Sequence, residues 1–277
     1  MSPAPIICRT LRREYRLHFR TEAARELFLF IETDPAVEGV ALEPFDIEVQ
    51  EHFGFFSLRL PNGVFTEGTS SHCIGVLHGL LLWDTLQSHE GRPMIHGATV
   101  IVEGRRLLIV GEKGAGKSTL VLHLLANGHD VEGDEHLLVA EDHVIVRPRT
   151  LRIKPNSFSV VAGLPAALRD APWLPAWNGA PFFSVKPSLF GRPWRIAPGR
   201  LDAILFARSN HGGRSHIAPM TQQEAFAGLL RQAYLLRTGV SRMAARLRRL
   251  VGETPVGLLS LGDLETAEWH IKLFGKT

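Results

Sequence analysis

Apolar and polar positions alternate over short stretches in the first quarter of the chain, and the alternation predicts strands at residues 15–19, 47–50 and 55–60. Turns are expected at Gly54 and at Pro61-Asn62-Gly63. The period then lengthens. Residues 71–88 predict a helix capped by Thr69 or Ser70 and stopped at Gly91, with Leu77, Leu80, Leu81 and Trp83 facing a core. Beyond it, residues 99–103 and 106–110 read as a hairpin turning at Glu103-Gly104, and residues 137–140 and 144–147 as a second one. An apolar strand is expected over residues 201–207, and helices over 222–236, 242–251 and 263–273. Neighbouring hairpins among helices predict an α/β (α+β) fold with a mixed sheet.

The strand at 106–110 runs into Gly111-Glu112-Lys113-Gly114-Ala115-Gly116-Lys117-Ser118, a complete G-x-x-x-x-G-K-[ST] phosphate loop. Leu120, Val121, Leu124 and Leu125 follow at helical spacing. Backbone N–H groups of the loop, with Thr119 beginning the helix, turn onto phosphate oxygens at a positive helix end. In this division of labour Lys117 reaches the β- and γ-phosphates of ATP and the Ser118 hydroxyl ligates Mg²⁺. Asp134-Glu135 arrives seventeen positions after Lys117, after a short strand expected beside the phosphate-loop strand. Phosphoryl transfer to a hydroxyl needs one carboxylate to orient or deprotonate the acceptor and another acidic group to hold the metal, and this pair can supply both.

These residues resemble the HPr kinase/phosphorylases and their relatives with a phosphoenolpyruvate-carboxykinase-like core. In that family a His-Gly pair opens the hairpin into the phosphate loop, and a Gly-His turn precedes two acidic residues. Here His96-Gly97 precedes Gly111 and Gly128-His129 precedes Asp134-Glu135, over residues 95–140. The resemblance implies that Asp134 is the catalytic acid/base, that Glu135 assists the metal, and that His96 lies near the γ-phosphate; a turn histidine is the other reading of His96. The strand and helix pattern divides the chain into a small mainly-β domain over residues 1–70 and a P-loop kinase core over 71–277. There are departures: Glu135 stands where HPr kinases carry Asp, Lys113 where they usually carry Ser, and their Arg-Gly-x-Gly segment is missing, so HPr itself is not the expected acceptor. The chain is more similar to HPr-kinase-related proteins, some of which phosphorylate a peptide serine.

Composition narrows the rest only slightly. The formal net charge is +3, and Arg237, Arg242, Arg246, Arg248 and Arg249 read as a solvated helix face rather than as a surface for nucleic acid or an acidic partner. Arg149 and Lys154 either meet charge developing on the transferred group or are sheet-edge charges. Residues 164–198, rich in proline and holding Trp173, Trp177 and Trp194, read as a lid or acceptor loop or as a surface cover, with Arg192 and Arg195 able to meet an acidic acceptor. Cys8 and Cys73 lack metal or redox spacing, and the four histidines at 123, 129, 136 and 143 share no helical face. No apolar run approaches the ~20 residues that span a bilayer, so a cytoplasmic setting is expected. The expected function is an ATP-dependent kinase with a peptide, protein or small-molecule hydroxyl acceptor, and a homo-oligomer is possible by the resemblance. The alternatives are a P-loop ATPase, against which the absence of Asn-Lys-x-Asp and Leu-Ser-Gly-Gly-Gln signatures counts, and a nucleotide-dependent regulator, against which the intact Asp134 and Glu135 count.

Overall fold

The computed structural model describes residues 2–33, 42–60, 63–88, 91–169, 174–175, 180–234 and 239–275. The turn residues Pro61 and Asn62, Trp173, Trp177 and Arg237 lie outside them.

Five strands form the N-terminal sheet in chain order: Ile6–Arg9, Arg13–His18, Glu43–His52, Phe55–Arg59 and Phe65–Gly68. The second and third are parallel, so the chain must cross over between them. The short helix Glu22–Leu27, unforeseen at sequence level, lies in that crossover; Thr21 caps it by accepting from the Ala24 N–H. Helix Ser70–Ser88 closes the layer, and Cys73, Ile74, Leu77 and Leu81 share a core with Tyr15, Phe28 and Leu58. Trp83 was expected in that core but is 56% exposed. It stands two positions past Leu81, about 200° around the helix, and therefore faces away from the sheet.

The central sheet has six strands in the order His216–Pro219, Val256–Leu261, Ala203–Ser209, Arg105–Val110, Ala98–Val102 and Asp130–Gly133. The middle strands pair in parallel and the outer ones antiparallel, so the sheet is mixed as expected. Alternation along Arg105–Val110 divides two cores. Leu107 and Ile109 meet Leu120 and Leu124 of helix Lys117–Ala126 and Ile271 of helix Leu264–Leu273. Leu108 and Val110 meet Ile95, Leu137, Leu229 and Leu247 on the other face. Glu103 and Gly104, with φ of 50° and 76°, make the tight turn between Ala98–Val102 and Arg105–Val110.

One placement differs from expectation. Asp130–Gly133 pairs with Ala98–Val102 and not with the phosphate-loop strand, because that strand already has Ala98–Val102 on one side and Ala203–Ser209 on the other. The second hairpin, His136–Val139 and Val144–Val146, joins Met94–His96 and Ala233–Tyr234 in a separate sheet. The helix expected over 222–236 accordingly ends at Gln232, where Ala233 turns extended. Within 164–198, Pro181–Val185 pairs with both Leu151–Ile153 and Leu174–Pro175, and Phe183 and Val185 enter the core. Among the described residues no helix is long and apolar enough to cross a membrane.

Candidate active site at the phosphate loop

Close approach fixes the loop's glycines. A Cβ on Gly111 would stand 2.4 Å from the Ala207 carbonyl oxygen, so only glycine lets the loop leave its strand against Ala203–Ser209. Gly114 and Gly116 have φ of +91° and +90°, the left-handed region that glycine enters without strain. Gly116 is the N-cap of helix Lys117–Ala126, which leaves the first-turn N–H groups available to an anion. Lys117 is buried and donates from Nζ to the carbonyls of Gly111 at 2.6 Å and Glu112 at 3.1 Å. Burial lowers its pKa and Asp134 opposes the shift. Ala115 is packed in the core, Lys113 is exposed at the tip, and the Thr119 hydroxyl is engaged with Ser157 at 2.8 Å.

The strand Asp130–Gly133 delivers the acidic pair. Asp134 lies within hydrogen-bonding reach of the Ser118 hydroxyl. Burial pushes its pKa up to about 6, against the opposing pull of Arg149, of the Ser118 hydroxyl and of Lys117. Glu135 turns elsewhere: its carboxylate forms an ion pair with Arg149 and lies 3.5 Å from His136 Nδ1 and 3.9 Å from His78 Nε2. The Glu135 carbonyl accepts from the Gly97 N–H at 2.9 Å. A Cβ on Gly97 would come within 2.9 Å of the Ile109 carbonyl oxygen. The His-Gly pair is thereby given a physical meaning, because glycine lets the strand Met94–His96 close over the phosphate-loop strand and tie to the acidic turn.

His96 is opposite His136 across the strands, with ring centroids 5.6 Å apart. Burial, then the neighbouring His136, Lys117 and Arg149, pull its pKa down to about 4, so its imidazole is neutral near pH 7. Lys117, Ser118, Asp134, Glu135, His96 and Arg149 therefore come together. Lys154 does not join them; it is exposed at the start of the short helix Pro155–Phe158. Arg192 is paired with Asp130 at 2.6 Å and Arg195 is exposed. Ser118 and Asp134 present hard oxygen donors of the kind Mg²⁺ takes, whereas the Glu135 carboxylate is engaged by a guanidinium.

Two groups have no expected site role in the sequence. Arg208 and Arg231 line a cleft of about 340 Å³ with Gly111, Lys113 and Phe206. Arg208 could have been found, since it follows the apolar run of the strand parallel to the phosphate-loop strand. Arg147 and His136 are buried and His78 half-buried beside Glu135 and Arg149, and no spacing rule joins residues from a helix, a strand and a loop.

No protein-family model matches the chain. Over 70 residues, 25% of this chain, it is 37% identical to a protein named HPr kinase/phosphorylase from Leptothrix cholodnii, and the match spans only 20% of that protein. The Hpr(Ser) kinase/phosphatase structure from Coxiella burnetii aligns with 56% of this chain and 94% of its own, at 14% identity and a TM-score of 0.27. By the shared segment the chain is similar to an HPr kinase/phosphorylase, the family that its phosphate loop and acidic pair resemble.

Proposed function

We propose that this protein is an ATP-dependent kinase that transfers the γ-phosphoryl group of MgATP to a hydroxyl of a peptide, a protein or a small molecule. The observation that carries this reading is the meeting of Asp134 with Ser118 at the mouth of the phosphate loop. A carboxylate with a pKa near 6 is mostly ionised at neutral pH, yet basic enough to take a proton from an incoming hydroxyl. The loop amides and Lys117 hold the phosphates, Lys117 exchanging the carbonyls of Gly111 and Glu112 for phosphate oxygens. Ser118, with a carboxylate of the acidic pair, would hold Mg²⁺, which supplies positive charge to the phosphate oxygens. Arg149, buried and facing Asp134, adds a fixed cation where charge develops on the transferred group, and Glu135 holds that guanidinium in place. Neutral His96 can donate one hydrogen bond there without adding charge.

Single-turnover transfer from γ-labelled ATP to serine peptides and to small hydroxyl compounds tests the reading. A kinase releases ADP in step with acceptor labelling. Steady ADP release that no acceptor accelerates, with all label in free phosphate, would make the protein an ATPase instead.

A further inference from the structure

Behind Glu135 the chain buries more positive charge than it neutralises. Arg147 and Arg149 are 3% and 7% exposed, and Arg147 Nε and Nη1 and Arg149 Nε have no hydrogen-bond partner among the described residues. Arg152, its guanidinium 3.3 Å above the Phe30 ring, leaves Nε and Nη1 in the same condition. His136 is 2% exposed, and neither of its ring nitrogens nor His78 Nε2 has a hydrogen-bond partner among the described residues. Glu135 pairs with Arg149; Asp84, whose charge favours the Arg147 cation, is held by Thr10 and Arg13. Burial lowers the pKa of Arg147 to about 10 and of Arg149 to about 9, so both stay charged at neutral pH, while both histidines are neutral there.

A buried guanidinium without a counter-charge is strongly unfavourable, and an apolar side chain of similar volume would fit such a place at lower cost. Arg147, with two buried N–H donors unbonded, and Arg149, with one, therefore suit an incoming anion, which guanidinium binds with two parallel N–H donors. The cluster adjoins the reacting centre through Arg149, whose charge bears on Asp134 as well as pairing with Glu135. It also adjoins the surface: His78, on its way to Glu135, lines a groove of about 410 Å³ on helix Ser70–Ser88, where Gly75 and Gly79 keep the wall low.

We propose that the acceptor carries an oxyanion, a carboxylate or a phosphate, and that Arg147 and Arg149 bind it while Asp134 faces the acceptor's hydroxyl. The site rests on the kinase reading for its purpose, but its anion binding can be measured without ATP. The probes are inorganic phosphate and succinate, titrated by calorimetry into Lys117→Ala protein, in which the phosphate loop is disabled. Binding of either probe is expected to weaken at least tenfold when Arg147→Met is added and to weaken less with Arg147→Lys, which keeps the charge but loses the paired donors. Arg147→Met alone should raise the thermal midpoint in anion-free buffer, since it removes an unpaired buried charge. Phosphate binding without succinate binding assigns the site to a phosphorylated acceptor, and succinate binding to a carboxylate-bearing one. Failure of both probes to bind, or binding indifferent to Arg147→Met, overturns the proposal. MgATP binding by the wild-type protein, followed separately with a fluorescent analogue, reports on the phosphate loop, so either reading can fall while the other stands.

Discussion

Lys117 donates from Nζ to the carbonyl oxygen of Gly111, 2.6 Å away at the opposite end of the phosphate loop. The ammonium thus closes the loop on itself, and a nucleotide must draw it off two carbonyls before it can serve the γ-phosphate. Lys117→Ala removes one preorganised charged donor at the transferring group, so ATP turnover should fall about a hundredfold, a loss on the order of 3 kcal/mol. Stability should change little, because the lost carbonyl contacts are offset by no longer burying an ammonium. ATP titration and turnover of the variant check this, and parental behaviour in both would refute the nucleotide site.

Asp134 sets the pH dependence. Proton acceptance requires the ionised form, so kcat/KM should fall as pH drops through about 6, roughly tenfold per pH unit below it. Asp134→Asn should bind MgATP but transfer about a hundred- to ten-thousandfold more slowly, with that limb of the profile gone. The linkage sign is fixed by the raised pKa: the folded state holds a proton that the unfolded chain has released between about pH 4 and 6. The parent therefore loses stability as pH rises through that window. Asp134→Asn should be the more stable protein above about pH 6, by at most on the order of 3 kcal/mol, and should match the parent below about pH 4. Urea unfolding of both proteins across that range is the measurement; a parent protein that keeps the advantage at high pH would mean that folding does not raise the Asp134 pKa.

Local chemistry was legible in the chain wherever neighbours in sequence are neighbours in space. The phosphate loop, its helix and the Glu103-Gly104 turn are of this kind, because glycine spacing and apolar periodicity act over a few residues. The site's depth was not. Arg149 could be named as a candidate, but its pairing with Glu135 depends on a loop crossing from one sheet to another, and Lys154, five positions on, falls at an exposed helix start instead. Trp83 reads as core by hydrophobicity alone, and only the direction of the helix shows that it faces out. Arg147, His78 and His136 converge from three elements, and pairwise sequence signals carry no information on such convergence.

Gly97 is the hinge between the phosphate-loop strand and the acidic turn. A methyl group there would meet the Ile109 carbonyl oxygen, Leu108 Cδ1 and Val110 Cγ1, all at 2.9 Å, inside a core with no slack. Gly97→Ala should cost about 1–3 kcal/mol, as overpacking typically does. The displaced backbone should also loosen the Gly97 N–H bond to the Glu135 carbonyl and so lower transfer. His96→Gln, which leaves the backbone alone, should keep stability within about 1 kcal/mol of the parent. Denaturant midpoints separate the two, and equal losses would show that the His96 side chain, not the close approach, holds the turn.

Glu135 and Arg149 offer the sharpest choice between two roles for the second carboxylate. The residue pattern assigns Glu135 to the metal, whereas its carboxylate lies against Arg149, with side-chain exposures of 19% and 9%. Removing one member of a buried pair strands the other charge and costs about 3–5 kcal/mol, while replacing both with uncharged groups costs far less than the sum. Glu135→Gln and Arg149→Met should therefore each destabilise, and the double variant should recover much of the loss. Transfer should fall with either substitution, because an unpaired Arg149 loses its position and Arg149→Met loses the cation itself. The Mg²⁺ concentration that half-saturates turnover should stay near the parent's in Glu135→Gln if the carboxylate serves Arg149. Additive stability effects together with a several-fold higher Mg²⁺ requirement would return Glu135 to the metal, and the placement of Arg149 would then need another cause.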